Sequence, residues 1–260
     1  MAGALLGDLP PDAPSLALQR RSTTDAGPSE GRLKGDHLTL PLRTGGWVEL
    51  ARAPLEATFH LPAQPDDATL IHPYLAPVAA LAARWLDRES FHAGAVVLDG
   101  GAWAVVGDKG AGKSSTLAHL ALAGHSVLTD DMLIVAGGEA LAGPRCIDLR
   151  AEPARRFGTG SPLGVVGQRE RWRMPLGPAP PRVPLRGWIL LEWDEQVVVR
   201  PVEGADRLVA LAPQRAVSLP PRDPAVLLEL SALPVLRLCR PQRWDALPEA
   251  AERLLDAIAG

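Results

Sequence analysis

The sequence predicts an α/β domain built on a mixed sheet, with an antiparallel hairpin entering a phosphate-binding loop. Three observations predict it. First, Gly107-Asp108-Lys109-Gly110-Ala111-Gly112-Lys113-Ser114 fits the pattern Gly, four residues, Gly-Lys-Ser/Thr. Second, an apolar run (Ala102–Val106) precedes the loop, and Leu117, Leu120 and Ala121 follow it at helical spacing, with Gly124 as a stop. Third, another apolar run, Ala95–Leu98, joins the first through Asp99-Gly100-Gly101, and Asp-Gly is a strong hairpin signal. Ordinary nucleotide-binding α/β folds flank this strand with helical crossovers instead.

Each residue type in the loop suits an anion. Glycines take backbone angles that a side chain forbids, so the N–H groups can curl inward as a nest. Lys113 adds a full positive charge, and the Ser114 hydroxyl is a Mg²⁺ ligand in this pattern. The helix that starts here favours phosphate at its N-terminus. The residues expected to hold the nucleotide are Gly107, Asp108, Lys109, Gly110, Ala111, Gly112, Lys113, Ser114 and Ser115.

The remaining elements follow in order. Residues 1–35 are rich in Pro, Ser, Asp and Gly without periodicity, and are expected to form a disordered tail. Residues 36–260 are expected to form one domain, with a β/α subregion over 36–90 and a catalytic core over 91–260. His37–Leu40, Trp47–Leu50 and Thr58–Leu61 read as strands, and Thr69–Arg88 as a helix with Pro73 and Pro77 near its start. After the loop helix, Ser126–Thr129 is a short strand ending in Asp130-Asp131. A strand that ends in acidic residues near such a loop suits Mg²⁺ binding and polarisation of a nucleophile. Residues 158–167 read as a mobile Gly/Ser-rich loop. Arg169, Arg171 and Arg173 alternate, so they share one face of an extended segment. That face is either a clamp for phosphate or an acidic peptide, or a solvated basic edge. Gly187–Leu191 and Val197–Val199 read as a hairpin turning at Asp194-Glu195. Asp206–Leu211 and Pro248–Ile258 read as helices.

Composition narrows the class. The chain has 260 residues, 47% hydrophobic and 22% charged, with net charge −3, as expected of a globular protein. The charge gives no reason to expect a nucleic-acid or membrane binder. Cys146 and Cys239 form no metal-ligand pattern and suit buried free thiols. The N-terminus lacks a signal-peptide pattern, and the location expected is cytoplasmic.

From Phe91 to Val135 the chain resembles the catalytic domain of the HPr kinase/phosphorylase family. The matching residues are His92, the loop Gly107–Ser114, Gly124-His125 and Asp130-Asp131. The resemblance implies the fold shared with phosphoenolpyruvate carboxykinases, the use of ATP and Mg²⁺, and transfer to a Ser or Thr hydroxyl of a peptide or small protein. It implies that Lys113 contacts the transferred phosphate and Ser114 the metal. One of Asp130 and Asp131 holds the metal while the other takes the hydroxyl proton; analogy favours Asp130 for the metal and Asp131 as base. His92 would stand beside that carboxylate, tuning proton transfer or binding phosphate. The family's N-terminal domain and its glycine-rich stretch after the double Asp are not evident. Residues 144–150 occupy that place, with Asp148 a candidate second acid and Arg150 a candidate phosphate contact. The chain looks more like the short, single-domain relatives, with homo-oligomerisation possible. Two other functions fit the same residues: a small-molecule kinase, and an ATP-binding regulatory module without catalysis.

Overall fold

The computed structural model describes residues 14–42, 45–166, 169–217 and 223–260. The first strands are β1 (Ala17–Ser22), β2 (Arg32–Lys34), β3 (His37–Pro41), β4 (Trp47–Ala51) and β5 (Glu56–Leu61). They form a sheet in the order β1-β5-β4-β3-β2. Only β1 and β5 run parallel. Alternation in β4 turns Val48 and Leu50 inward, where they meet Ala57, Phe59 and Leu61 of β5. Helical residues cover this face: a turn at Asp67–Thr69, a π-helical stretch Leu70–Leu75 and α1 (Ala76–Trp85). Leu70 and Val78 are buried in the same cluster. The Asp66 carboxylate caps the start by accepting the Thr69 N–H at 2.7 Å.

Residues 14–35 correct the expectation of a tail, whose remainder, residues 1–13, lies outside those described. They contribute β1 and β2. β1 is an exposed edge strand that adds backbone hydrogen bonds rather than apolar area, so its composition resembles that of a disordered segment. Arg20 fastens it by pairing with Asp67 and donating to the Pro65 carbonyl at 3.3 Å. A chain that begins at Asp36 loses this ladder. It is expected to lose about 2 kcal/mol, which is roughly 4–8 °C in melting temperature for a domain of this size. An unchanged melting temperature would show that β1 adds nothing to stability.

The rest of the chain builds the main sheet and its covers. In order come β6 (Glu89–Phe91), β7 (Gly94–Leu98), β8 (Gly101–Val106), α2 (Lys113–Leu122), β9 (Val127–Thr129), β10 (Leu133–Ala136), β11 (Glu139–Leu141) and β12 (Cys146–Leu149). Then follow α3 (Ala151–Phe157), β13 (Ser161–Val166), β14 (Arg169–Pro175), β15 (Arg182–Trp193), β16 (Val198–Pro201), α4 (Asp206–Leu211), α5 (Pro224–Ala232), β17 (Val235–Arg240) and α6 (Ala246–Ala259). The main sheet runs β6-β10-β11-β15-β8-β7-β9, with β17 beside β15 and β16 beside β17. It is mixed: β15 lies parallel to β8 and β17, while β7 is antiparallel to β8 and β9.

Alternation along these strands feeds two cores. Trp103, Val105, Ile189 and Leu191 face Leu117 and Leu120 of α2 and Ala250 and Leu254 of α6. Ala102, Ala104, Val106, Trp188 and Leu190 face the other way, towards Leu211 of α4 and Leu230 of α5. Central strands buried on both faces read as continuous apolar runs, which is why β8 was legible. Asp99 (φ 47°) and Gly100 (φ 72°) turn the β7–β8 hairpin, with Leu98 opposite Gly101.

Two further expectations are corrected. β15 and β16 do not pair with each other; β17 lies between them, parallel to β15 and antiparallel to β16. The turn at Asp194 forms, but its N–H donates to the carbonyl of Arg240 on β17. Ser161–Val166, read as part of a mobile loop, is β13, the edge of a three-stranded antiparallel sheet β12-β14-β13. Its glycine and proline content masked the strand, which shifts register between Pro162 and Gly164. Gly167 lies outside the described residues.

Candidate functional site

β8 ends at Val106 and the chain turns through Gly107–Gly112 into α2. Two glycines are required by contact as well as angle. A Cβ on Gly107 (φ 144°) would stand 2.8 Å from the Leu191 carbonyl oxygen, and one on Gly112 (φ 88°) would stand 2.6 Å from Arg240 Nη2. The Ala111 N–H donates to the Asp108 carbonyl at 3.0 Å, closing the turn. Asp108, Lys109 and Gly110 are exposed at its tip, Ala111 is buried, and Ser114 and Ser115 begin the helix half-buried.

Lys113 is buried, and its ammonium donates to the Gly107 carbonyl at 2.7 Å. It thus folds back over the loop mouth. Burial lowers its pKa, opposed by the charges of Asp131, Asp130 and Asp108. Lys113 and the double Asp are therefore within Coulombic reach of one another.

The double Asp reaches the loop because of how β9 ends. The Thr129 hydroxyl donates to the Met132 carbonyl at 2.9 Å, tightening the turn that carries Asp130 and Asp131. β7 begins alongside, and Gly94 allows the approach: a Cβ there would lie 2.8 Å from the Asp130 carbonyl oxygen. The backbone just before β7 carries His92, whose Nδ1 stands 3.4 Å from Asp131 Oδ1. Both side chains are partly open to solvent, so the pair is reachable from outside.

Asp130 is different. Its carboxyl is pushed up to about 7, mainly by burial and then by the charge of Asp131, while the Ser114 hydroxyl bonds to it and holds it down. Its Oδ1 is shielded from solvent and has no hydrogen-bond partner among the described residues. An orphaned carboxylate oxygen beside a serine hydroxyl fits a divalent cation that takes oxygen ligands, with its other positions left for phosphate oxygens and water. Among the described residues no group of three or more His, Cys, Asp or Glu could hold a metal. A protein-only cage is thus absent there, as Mg²⁺ sites at phosphates allow.

This shift has a consequence for stability. Unfolded, Asp130 titrates near 3.8; folded, near 7. Between those values the folded state binds more protons, so stability falls as pH rises from about 4 to about 7 and then levels off. Metal-free protein is expected to lose on the order of 2–4 kcal/mol across that window. Asp130→Asn should flatten the decline. Melting curves at pH 5 and pH 8 check this; equal slopes in wild type and variant would sink it.

Sequence reasoning missed two residues that shape the loop. Arg240, at the end of β17, is buried beneath it. Its Nη2 donates to the Ala111 carbonyl at 3.1 Å and the Thr116 hydroxyl at 3.0 Å, and its guanidinium lies 4.4 Å from the centre of the Trp193 ring. Burial pushes its pKa down to about 10. It adds a positive charge under the loop and braces it. Gln214 works from the other side. Its side-chain oxygen accepts the Gly107 N–H at 3.4 Å, and its carbonyl accepts the His92 N–H at 2.8 Å. Neither residue carries a local pattern; only pairing across more than a hundred residues brings them here.

The arginines of β14 share one face as expected, but they differ in setting. Arg173 is buried and grips the buried Asp148 through two bonds of 2.7 Å. Asp148 is thereby committed to an arginine. Its backbone N–H also lies against the Asp130 carboxyl, so the pair forms the wall behind Asp130.

Among the described residues no helix is long and apolar enough to cross a membrane. No protein-family model matches the chain. No curated protein matches it either. Among solved structures, the HPr(Ser) kinase/phosphatase from Coxiella burnetii is similar at 10% identity and a TM-score of 0.33, over 66% of this chain and 97% of that one.

Proposed function

We propose that the chain is an ATP- and Mg²⁺-dependent phosphotransferase of the HPr kinase type, acting on a Ser or Thr hydroxyl of a peptide or small protein. One observation carries this reading. Lys113, the Ser114–Asp130 pair and the His92–Asp131 pair converge at the mouth of one glycine loop.

The loop N–H groups and Lys113 bind the nucleotide's phosphates, with Arg240 adding charge from beneath. Ser114 and Asp130 would hold Mg²⁺, which supplies charge neutralisation on the phosphates when bound. Asp131 lies open to the acceptor and takes its hydroxyl proton, while His92 fixes the carboxylate's orientation. The acceptor oxygen bonds to the γ-phosphorus as the bond to the β–γ bridging oxygen breaks. That electron pair leaves with ADP. The protein's part is positioning and electrostatics more than covalent chemistry.

The test is transfer of γ-labelled phosphate from ATP, with Mg²⁺, to a Ser/Thr peptide library and to a panel of small polyols. Labelled peptide is the expected result. Labelled polyol alone would make this a small-molecule kinase, and ATP binding without any transfer would make it a regulatory module.

A further inference from the structure

The wall behind Asp130 continues outward as a stripe of arginines. β12 and β14 pair antiparallel, with Asp148 opposite Arg173 and Leu149 opposite Trp172. One step further, that register brings Arg150 opposite Arg171. Opposed residues share a face, and so do residues two apart on a strand. Asp148, Arg150, Arg169, Arg171 and Arg173 therefore stand on one face, while Glu170 and Trp172 stand on the other.

Charge balance changes along the stripe. At the inner end Arg173 is neutralised by Asp148, with Asp66 as a further negative neighbour. The next three have no such compensation. Among the described residues, Arg150, Arg169 and Arg171 make no ion pair. Among the described residues Arg171 donates to the Asp148 carbonyl alone, at 3.3 Å, and its buried Nε has no partner. Partial burial, then the charges of Arg169 and Arg171, hold the Arg150 guanidinium below its usual range, so the three crowd one another. Glu152, on the helix that follows Arg150, is occupied by the Trp244 indole N–H at 2.8 Å. Three crowded guanidinium groups in a chain of net charge −3 call for an external anion.

Resting on the phosphotransferase reading above, we propose that this stripe docks an acidic segment of the acceptor peptide. The spacing selects an extended chain. Ranks of side chains along a strand repeat every ~6.6 Å, two residues of an extended peptide. Arg150 and Arg171 stand one rank beyond the Asp148–Arg173 pair beside Asp130, and Arg169 one rank beyond them. Acidic residues at roughly two to five positions from the phosphorylated hydroxyl meet this stripe. Carboxylates pair with guanidinium groups through two parallel bonds, so a strand of alternating arginines reads acidic side chains in register. Three cations are too few for the many phosphate contacts that support nucleic-acid binding.

The probe is a fluorescein-labelled peptide with one Ser followed, after a Gly, by four Glu, compared with its Gln counterpart by anisotropy on the full chain. The Glu peptide is expected to bind about tenfold or more tightly, as several partly exposed ion pairs would give. The double change Arg150→Gln with Arg169→Gln should erase the preference, and Arg150→Lys with Arg169→Lys should keep most of it. ATP affinity should not change when Arg169 alone is replaced by Gln. Equal binding of Glu and Gln peptides, an unaltered preference in the Gln variant, or tighter binding of a thymidine oligonucleotide of the same charge would each overturn the proposal. Failure of wild-type protein to bind ATP while the Glu preference holds would overturn the phosphotransferase reading alone.

Discussion

Lys113→Ala is expected to weaken ATP binding about ten- to a hundredfold. The ammonium sits at the mouth of the loop and donates to the Gly107 carbonyl at 2.7 Å. Its charge is costly there, because burial lowers its pKa against the pull of Asp131, Asp130 and Asp108. A phosphate would compensate that cost directly. A hydrogen bond to a charged group contributes roughly 1.5–3 kcal/mol, and each 1.4 kcal/mol is about a factor of ten. Titration calorimetry with ATP is the measurement. Equal affinities in wild type and variant would show that this lysine does not contact the nucleotide.

How much of this was legible in the sequence depended on range. The loop, the Asp99-Gly100 turn and the acidic end of β9 are local devices. Each is fixed by a few neighbouring residues. β1 was not legible because an exposed edge strand needs no apolar alternation of its own. The pairing of β17 between β15 and β16 was hidden because proximity in sequence favours a hairpin, while Val235–Arg240, which buries Val235, Leu238 and Cys239, takes the place beside β15 instead. Around the site, His92, Lys113, Ser114, Asp130 and Asp131 could be named from spacing and resemblance. Arg240 and Gln214 could not, since their contacts with the loop span more than a hundred residues. Asp148 was readable as an acid near the site, but not its commitment to Arg173, because a strand pattern does not reveal which strand will lie opposite.

Asp131→Asn is expected to lower phosphotransfer by roughly 10²–10⁴-fold, the usual contribution of a positioned general base. The two aspartates differ in what surrounds them. Asp130 is shielded, raised to about 7 and bonded to Ser114. Such a group is suited to a cation that offsets its burial, and not to receiving a proton from an acceptor that must approach from solvent. Asp131 is partly exposed and faces His92 Nδ1 at 3.4 Å. The histidine holds the carboxylate in place and stabilises it once the proton has been taken. The Asn side chain preserves shape and can still meet His92, yet it cannot accept the hydroxyl proton. It also removes one negative charge from the neighbourhood of Lys113 and the phosphates, so ATP affinity should hold or rise slightly. Asp130→Asn should instead raise the Mg²⁺ concentration needed for half-maximal rate. Single-turnover transfer at saturating Mg²⁺, with ATP affinity measured separately, distinguishes the two. Transfer abolished by Asp130→Asn at saturating Mg²⁺, with Asp131→Asn weakening only the metal dependence, would exchange the roles. Transfer unaffected by either change would remove the chemical basis of the kinase reading.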